Sequence, residues 1–176
     1  SFLERQKILA NYPLPTIAVI RGYCIGGGLM TALNCDFRLA GTDATFGIPA
    51  AKLGISYGFD GLSRLVQVAG PARTRYLLYT GDRVDAQTAL TWGLVEQVHD
   101  TGALWDEAMT LARRIAGNAP LSIRATKETV AQITRDPADR DMQAIVDLST
   151  LCQQSSDFRE GRDAFREKRS PVFTGQ

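Results

Sequence analysis

The sequence predicts an α/β fold, and three observations carry that prediction. The β-branched run Ile17, Val19 and Ile20 leads through Gly26-Gly27-Gly28 into the helix-forming stretch Leu29-Met30-Thr31-Ala32-Leu33. Two further short strand patterns follow closely, too near each other for βαβ crossovers throughout. From Gly70-Pro71 onward the chain reads as helix after helix, interrupted by one strand pattern at 94–98.

Composition narrows the class. With 176 residues and 44% hydrophobic content, the chain has material for a sizeable core and reads as globular. Its 20 basic and 19 acidic residues leave a net charge of +1, and the basic-rich region 162–169 is interrupted by Asp163 and Glu167. That balance argues against nucleic acid as the principal partner. Cys24, Cys35 and Cys152 lack metal-type spacing and suit free thiols in a reducing compartment. A lone histidine, His99, leaves little material for a His-based metal site or a Ser-His triad. No apolar run is long enough to span a bilayer and no signal peptide opens the chain, so it reads as cytoplasmic, with no membrane partner and no metal.

Taken in order, residues 2–10 read as a helix that stops before Pro13 and Pro15, whose rings push preceding residues out of the helical region. A strand follows at 16–20. The abrupt start in a helix gives the expectation that upstream sequence is absent. Residues 35–41 and 44–47 read as strands, the second ending at Pro49. Next comes 52–61, a glycine-punctuated loop carrying Tyr57 and Phe59, of the kind that lines sites. Helices are expected at 62–69, 72–79, 85–92, 104–116, 121–134, 138–155 and 157–169. Asp85 as N-cap and Gly93 as C-terminal stop bracket the helix at 85–92. Along 121–134, Ile123, Val130 and Ile133 lie on one side and Lys127, Glu128 and Arg135 on another, a pattern that covers a core or a neighbouring subunit.

The glycine cluster is where a backbone site forms. Glycine accepts either sign of φ and lets a ligand approach the main chain. The amides of residues 27–30 are expected at a helix N-terminus, without intrahelical partners, where they stabilise an anion or a developing oxyanion. The alternative is a turn that needs glycine only for tight packing. A dinucleotide-binding turn is disfavoured, because Gly22 and Gly26 to Gly28 do not spell Gly-x-Gly-x-x-Gly.

Several ordered motifs agree with one family. They are Ile17-Ala18-Val19-Ile20-Arg21-Gly22-Tyr23-Cys24-Ile25-Gly26-Gly27-Gly28, Cys35-Asp36-Phe37-Arg38-Leu39-Ala40, Phe46-Gly47-Ile48-Pro49, Leu53-Gly54 and Thr80-Gly81-Asp82. Ala89 to Val95, Phe158-Arg159-Glu160-Gly161 and Ala164-Phe165-Arg166-Glu167-Lys168-Arg169 continue the series. In these the chain resembles the crotonase superfamily, the enoyl-CoA hydratase/isomerase fold, over nearly its whole length. The resemblance implies a ββα spiral core, here its later part at 1–117, and a helical oligomerisation region at 118–176. It also implies a homotrimer or dimer of trimers, and an acyl-CoA thioester as substrate, coenzyme A being part of that substrate and no other cofactor being needed. The shared chemistry is an enolate in an oxyanion hole, one amide coming from Gly27 and the other from an upstream loop that belongs to the missing N-terminal third.

Where the family's hydratases place two glutamates, this chain has Met30 and Ala50. Neither exchanges a proton with water, which argues against two-glutamate hydration. Tyr57, in Leu53-Gly54-Ile55-Ser56-Tyr57, is similar to the tyrosine of a decarboxylase branch; it serves either as a proton or hydrogen-bond donor or as a wall of the acyl pocket together with Phe59. Asp60 is either a general acid/base or the N-cap of the following helix. The resemblance places Gly26, Gly28, Met30, Ala50 and Gly58 against substrate, and Phe165 and Lys168 against the CoA nucleotide of a neighbouring subunit, the alternative for these two being helix packing and a solvated charge. Cys24 reads as a small core residue and His99 as a surface one. A catalytically silent acyl-CoA-binding subunit is the competing reading.

Overall fold

The computed structural model describes residues 2–176, with side chains from Glu4 onward. It divides into two compact units, one holding the chain up to Tyr12 with Thr16–Thr110, the other Pro13–Pro15 with Leu111–Gln176. In the first unit, helix α1 (Phe2–Ala10) precedes strands β1 (Ile17–Ile20) and β2 (Tyr23–Ile25), helix α2 (Gly27–Leu33), and strands β3 (Phe37–Gly41) and β4 (Thr45–Gly47). Helices α3 (Ala50–Leu53), α4 (Phe59–Ala69) and α5 (Pro71–Thr80), strand β5 (Arg83–Asp85), helix α6 (Ala86–Trp92), strand β6 (Gln97–His99) and most of α7 (Leu104–Ala116) complete it.

Among the described residues the strands form two three-stranded sheets. One has the order β1-β3-β6, all parallel; the other has β2-β4-β5, with β4 and β5 antiparallel. The pairs β1/β2 and β3/β4 each step from the first sheet to the second and then into helix, which is the expected ββα repeat, whereas β5 of the second sheet leads through α6 to β6 of the first. The first step corrects the sequence reading, in which 17–28 is one strand, a glycine turn and a helix. Gly22, at φ +60°, breaks the apolar run, and its carbonyl accepts the Thr45 amide at 2.8 Å, so Tyr23–Ile25 joins a different sheet from Ile17–Ile20. The turn from β3 to β4 makes the same step.

Other boundaries also move. Strand β5, three residues long, is absent from the sequence reading, and the pattern at 94–98 becomes strand only at Gln97–His99. Leu94 and Val95 are buried there as core residues, apolar for packing and not for the ladder. Helix α4 begins at Phe59, not at 62, because Gly58 in extended conformation serves as its N-cap. Helix α6 has the predicted ends: Asp85 accepts the Thr88 amide at 2.7 Å and Gly93 is left-handed at φ +77°.

The core of the first unit is formed by Leu29, Leu33, Phe46, Ile48, Leu65, Leu77 and Leu94, all fully buried. Gly47 holds β4 tight, since a Cβ there would lie 2.9 Å from the carbonyl oxygen of Asp82. Buried Arg38 on β3 donates to the carbonyls of Leu94 (2.8 Å) and Cys35 (2.9 Å) and pairs with Glu96, whose other oxygen takes the Arg38 amide at 2.5 Å. This cluster fastens the approach to β6 onto β3.

The second unit contains α8 (Pro120–Ile133), a 3-10 turn at Pro137–Asp139, α9 (Met142–Gln154) and α10 (Ser156–Glu167). The helix expected over 138–155 therefore starts later, where Asp141 caps α9 by accepting the Ala144 amide at 2.9 Å. Val130 and Ile133 of α8 are exposed rather than covered.

Candidate active site

The glycine turn lies between β2 and α2. Gly26 has φ +55°, a backbone that favours glycine, and its amide donates to the Gly47 carbonyl at 2.8 Å. Its own carbonyl accepts the Met30 amide at 3.0 Å, so Met30, expected to present an open amide, does not. The amides of Gly27, Gly28 and Leu29 remain in the first turn, where no intrahelical acceptor exists for them.

Tyr57 closes on this turn. A Cβ built at Gly26 would lie 3.3 Å from the Tyr57 hydroxyl, and one at Gly61 would lie 3.6 Å from the Tyr57 ring and 4.0 Å from the Met30 sulfur. The phenol thus stands between the glycine turn and the start of α4, with Met30 beside it. Met30 and Ala50 are each 5% exposed, and Ala50 opens α3 directly after Pro49. At the two positions where the resemblance places glutamates, the side chains are thus a buried thioether and a buried methyl group.

A cleft of about 650 Å³ extends from here, lined among others by Gln6 and Lys7 of α1, Met30, Asn34, Tyr57 and Asp60. Asp60 is not the N-cap of α4; Gly58 is, and Asp60 sits in the first turn, where its carboxylate complements the helix dipole. It is largely exposed, 3.9 Å from the Lys7 ammonium. Arg64, also on this wall, donates its Nε to the Leu33 carbonyl at 2.9 Å, and burial pushes its guanidinium below the ordinary value. That side chain caps the C-terminal end of α2.

The structure therefore brings Met30, Tyr57, Gly58 and Asp60 to one cleft, with Gly26 against the Tyr57 hydroxyl and Gly27 next to it along the chain. Gly28 has open space where a Cβ would point, and Ala50 lies in the core cluster. Phe165, 88% exposed, and Lys168, the left-handed C-cap of α10 at φ +54°, belong to the second unit. Cys24 is buried and its thiol is pushed up to about 11, which makes it inert at neutral pH. His99, expected at the surface, is half-buried in β6 with Nε2 2.8 Å from Gln97 Oε1. Gln6 and Asn34, which line the cleft, are missed by sequence reasoning, since neither stands in a recognisable motif.

The family model described as enoyl-CoA hydratase/isomerase matches residues 1–176. The chain belongs to the enoyl-CoA hydratase/isomerase family. It is 38% identical over 167 residues to a crotonyl-CoA hydratase of Syntrophomonas wolfei, a match covering 95% of this chain and 64% of that protein. An (E)-benzylidenesuccinyl-CoA hydratase of Thauera aromatica is 38% identical over 174 residues, 98% of this chain and 68% of that one. Among solved structures, an enoyl-CoA hydratase/carnithine racemase of Magnetospirillum magneticum superposes with a TM-score of 0.92 at 36% identity, over 99% of this chain and 64% of the other. The chain thus spans about two thirds or slightly less of the length of these members of its family. Among the described residues, no helix is long and apolar enough to cross a membrane.

Proposed function

We propose that the whole protein acts on an acyl-CoA thioester and stabilises its enolate at the Gly27 amide, with the Tyr57 phenol in place of the glutamate pair. The observation that carries this reading is the Tyr57 hydroxyl, 3.3 Å from the Cβ position of Gly26, at a turn whose flanking glutamate positions hold buried Met30 and Ala50. A phenol beside an enolate donates a hydrogen bond or a proton, which suits isomerisation or decarboxylation; two-glutamate hydration lacks both of its carboxylates. Gly26, Gly28, Met30 and Gly58 shape the acyl end of the site, and Asp60 is its only carboxylate among the lining residues. Exposed Phe165 of α10 and its C-cap Lys168 are assigned to the CoA nucleotide of a neighbouring subunit. The exposed apolar residues of α8 and α9 support assembly into a homotrimer or dimer of trimers. The odd number and wide spacing of Cys24, Cys35 and Cys152 support assigning the protein to the cytoplasm.

The test uses the whole protein with a short trans-2-enoyl-CoA in heavy-oxygen water, with an alkyl-malonyl-CoA in parallel, read by mass spectrometry. Turnover without label uptake, lowered by about 10²- to 10⁴-fold in Tyr57→Phe, is the expected result. Label gain at an undiminished rate in Tyr57→Phe contradicts the assignment. Tight binding with no turnover of either thioester moves the protein to the second reading, a catalytically silent acyl-CoA-binding subunit, which the two buried apolar residues at the glutamate positions favour.

A further inference from the structure

We propose that the acyl end of this cleft selects a chain carrying a neutral hydroxyl group, in preference to a plain alkyl tail; the inference rests on the acyl-thioester reading above. It comes from a ladder of side-chain hydrogen bonds running down α2 from the glycine turn. The Thr31 hydroxyl donates to the Gly27 carbonyl at 2.9 Å, Gln6 Nε2 donates to Thr31 Oγ1 at 2.7 Å, and Asn34 Nδ2 donates to Gln6 Oε1 at 2.5 Å and to the Met30 carbonyl at 3.1 Å.

The ladder fixes both amide orientations. Because the single hydroxyl hydrogen of Thr31 is committed to Gly27, Gln6 must turn its NH₂ toward Thr31 and its oxygen toward Asn34, which must answer with its own NH₂. One N–H of Gln6 and the Oδ1 of Asn34 are then left without a partner among the described residues, both on side chains that line the cleft. One is a donor and the other an acceptor.

Their position suits the far part of an acyl group. Asn34 lies seven residues beyond Gly27, about 10 Å along the helix axis from the amide assigned to the thioester oxygen. An alkyl chain laid against this wall strips water from both amides and replaces neither bond, whereas a hydroxyl satisfies both, accepting from Gln6 and donating to Asn34. A carboxylate fits less well, since it faces Asn34 Oδ1 and Asp60, while of the two cations on the lining Lys7 is already 3.9 Å from Asp60 and Arg64 has its Nε committed to the Leu33 carbonyl.

The experiment measures dissociation constants for the whole protein with butanoyl-, hexanoyl- and octanoyl-CoA, their terminal hydroxy and terminal carboxy derivatives, and acetyl-CoA as reference. At one chain length the hydroxy derivative is expected to bind about tenfold or more tighter than its parent. In Gln6→Leu that advantage is lost while acetyl-CoA affinity is retained. The inference is overturned if the parents bind as tightly as the hydroxy derivatives at every length, if the carboxy derivatives bind tightest, or if the preference survives in Gln6→Leu. A failure of acetyl-CoA and every other thioester to bind overturns the acyl-thioester reading itself, which sets that failure apart from the others.

Discussion

In the first unit Leu29, Leu33, Phe46, Ile48 and Leu65 are fully buried; in the second, the deeply buried side chains include Gln132, Ser155 and Asp157, while Val130, Ile133, Val146, Leu151 and Phe165 are exposed. The first unit is held by apolar burial around parallel strands. The second is held by polar side chains that clamp backbone: Gln132 accepts the Asp141 amide at 2.8 Å, and Asp157 accepts the amides of Thr174 and Gly175 at 2.7 and 2.8 Å. A chain that places its polar groups inward and its apolar groups outward has a surface composed like an interface. This contrast places the apolar core in the first unit, which also carries the glycine turn, and supports the proposed self-association through the second.

The contrast breaks or holds on measurement. Phe46→Ala opens a cavity in the first unit and is expected to cost about 3–5 kcal/mol in denaturant unfolding, while Val146→Ala, on the exposed face of α9, stays within about 0.5 kcal/mol for the unassembled chain. Comparable losses at the two positions would erase the distinction. Glu96→Ala strands the buried Arg38 guanidinium and is expected to cost about 3 kcal/mol, with Glu96→Gln recovering only part of it, since its single carboxamide oxygen can keep one of the two hydrogen bonds that Glu96 accepts from Arg38.

Gly26→Ala forces a side chain into a backbone that favours glycine and against the Tyr57 hydroxyl. Its expected cost is about 1–2 kcal/mol in stability, with a larger loss in turnover than Gly54→Ala, a positive-φ glycine with open space around it. Equal turnover losses would mean that the approach of Tyr57 to the turn has no functional weight.

The smallest effect concerns the tail of the second unit. Hydrogen bonds from Arg169 and from the Val172 amide hold the Glu160 carboxyl down at about 2, from its ordinary 4.5. Because the folded value is depressed, the clamp contributes fully above 4.5 and is lost as pH falls toward 2. A carbon-detected NMR titration should give a Glu160 midpoint near 2; a midpoint near 4.5 would show an unclamped tail.

Local chemistry was legible where it acts over a few residues. Asp85 and Gly93 end α6 as their cap chemistry requires, and α7 spans the residues its periodicity marks. The motifs around Gly26 to Gly28 and Phe46 to Pro49 were sufficient to indicate the family. Two of the three-residue strands were not legible: Tyr23–Ile25 and Arg83–Asp85 are too short to show alternation, and each pairs with β4, which brings in residues far along the chain. At the candidate site, Tyr57 was legible as a residue of a site-lining loop, but its approach to Gly26, more than thirty residues away in the chain, was not.

The sequence by itself determined the family and the strand-turn-helix order, and it set Met30 and Ala50 where the resemblance expects glutamates, because residue identity and short-range spacing are written along the chain. Only the tertiary structure decided that Gly22 switches sheets, that Tyr57 meets the glycine turn, and that Gln6 and Asn34 share a hydrogen bond on the cleft wall. Each of these joins segments far apart in sequence, and such contacts are set by the path of the backbone through two sheets, which no local pattern records.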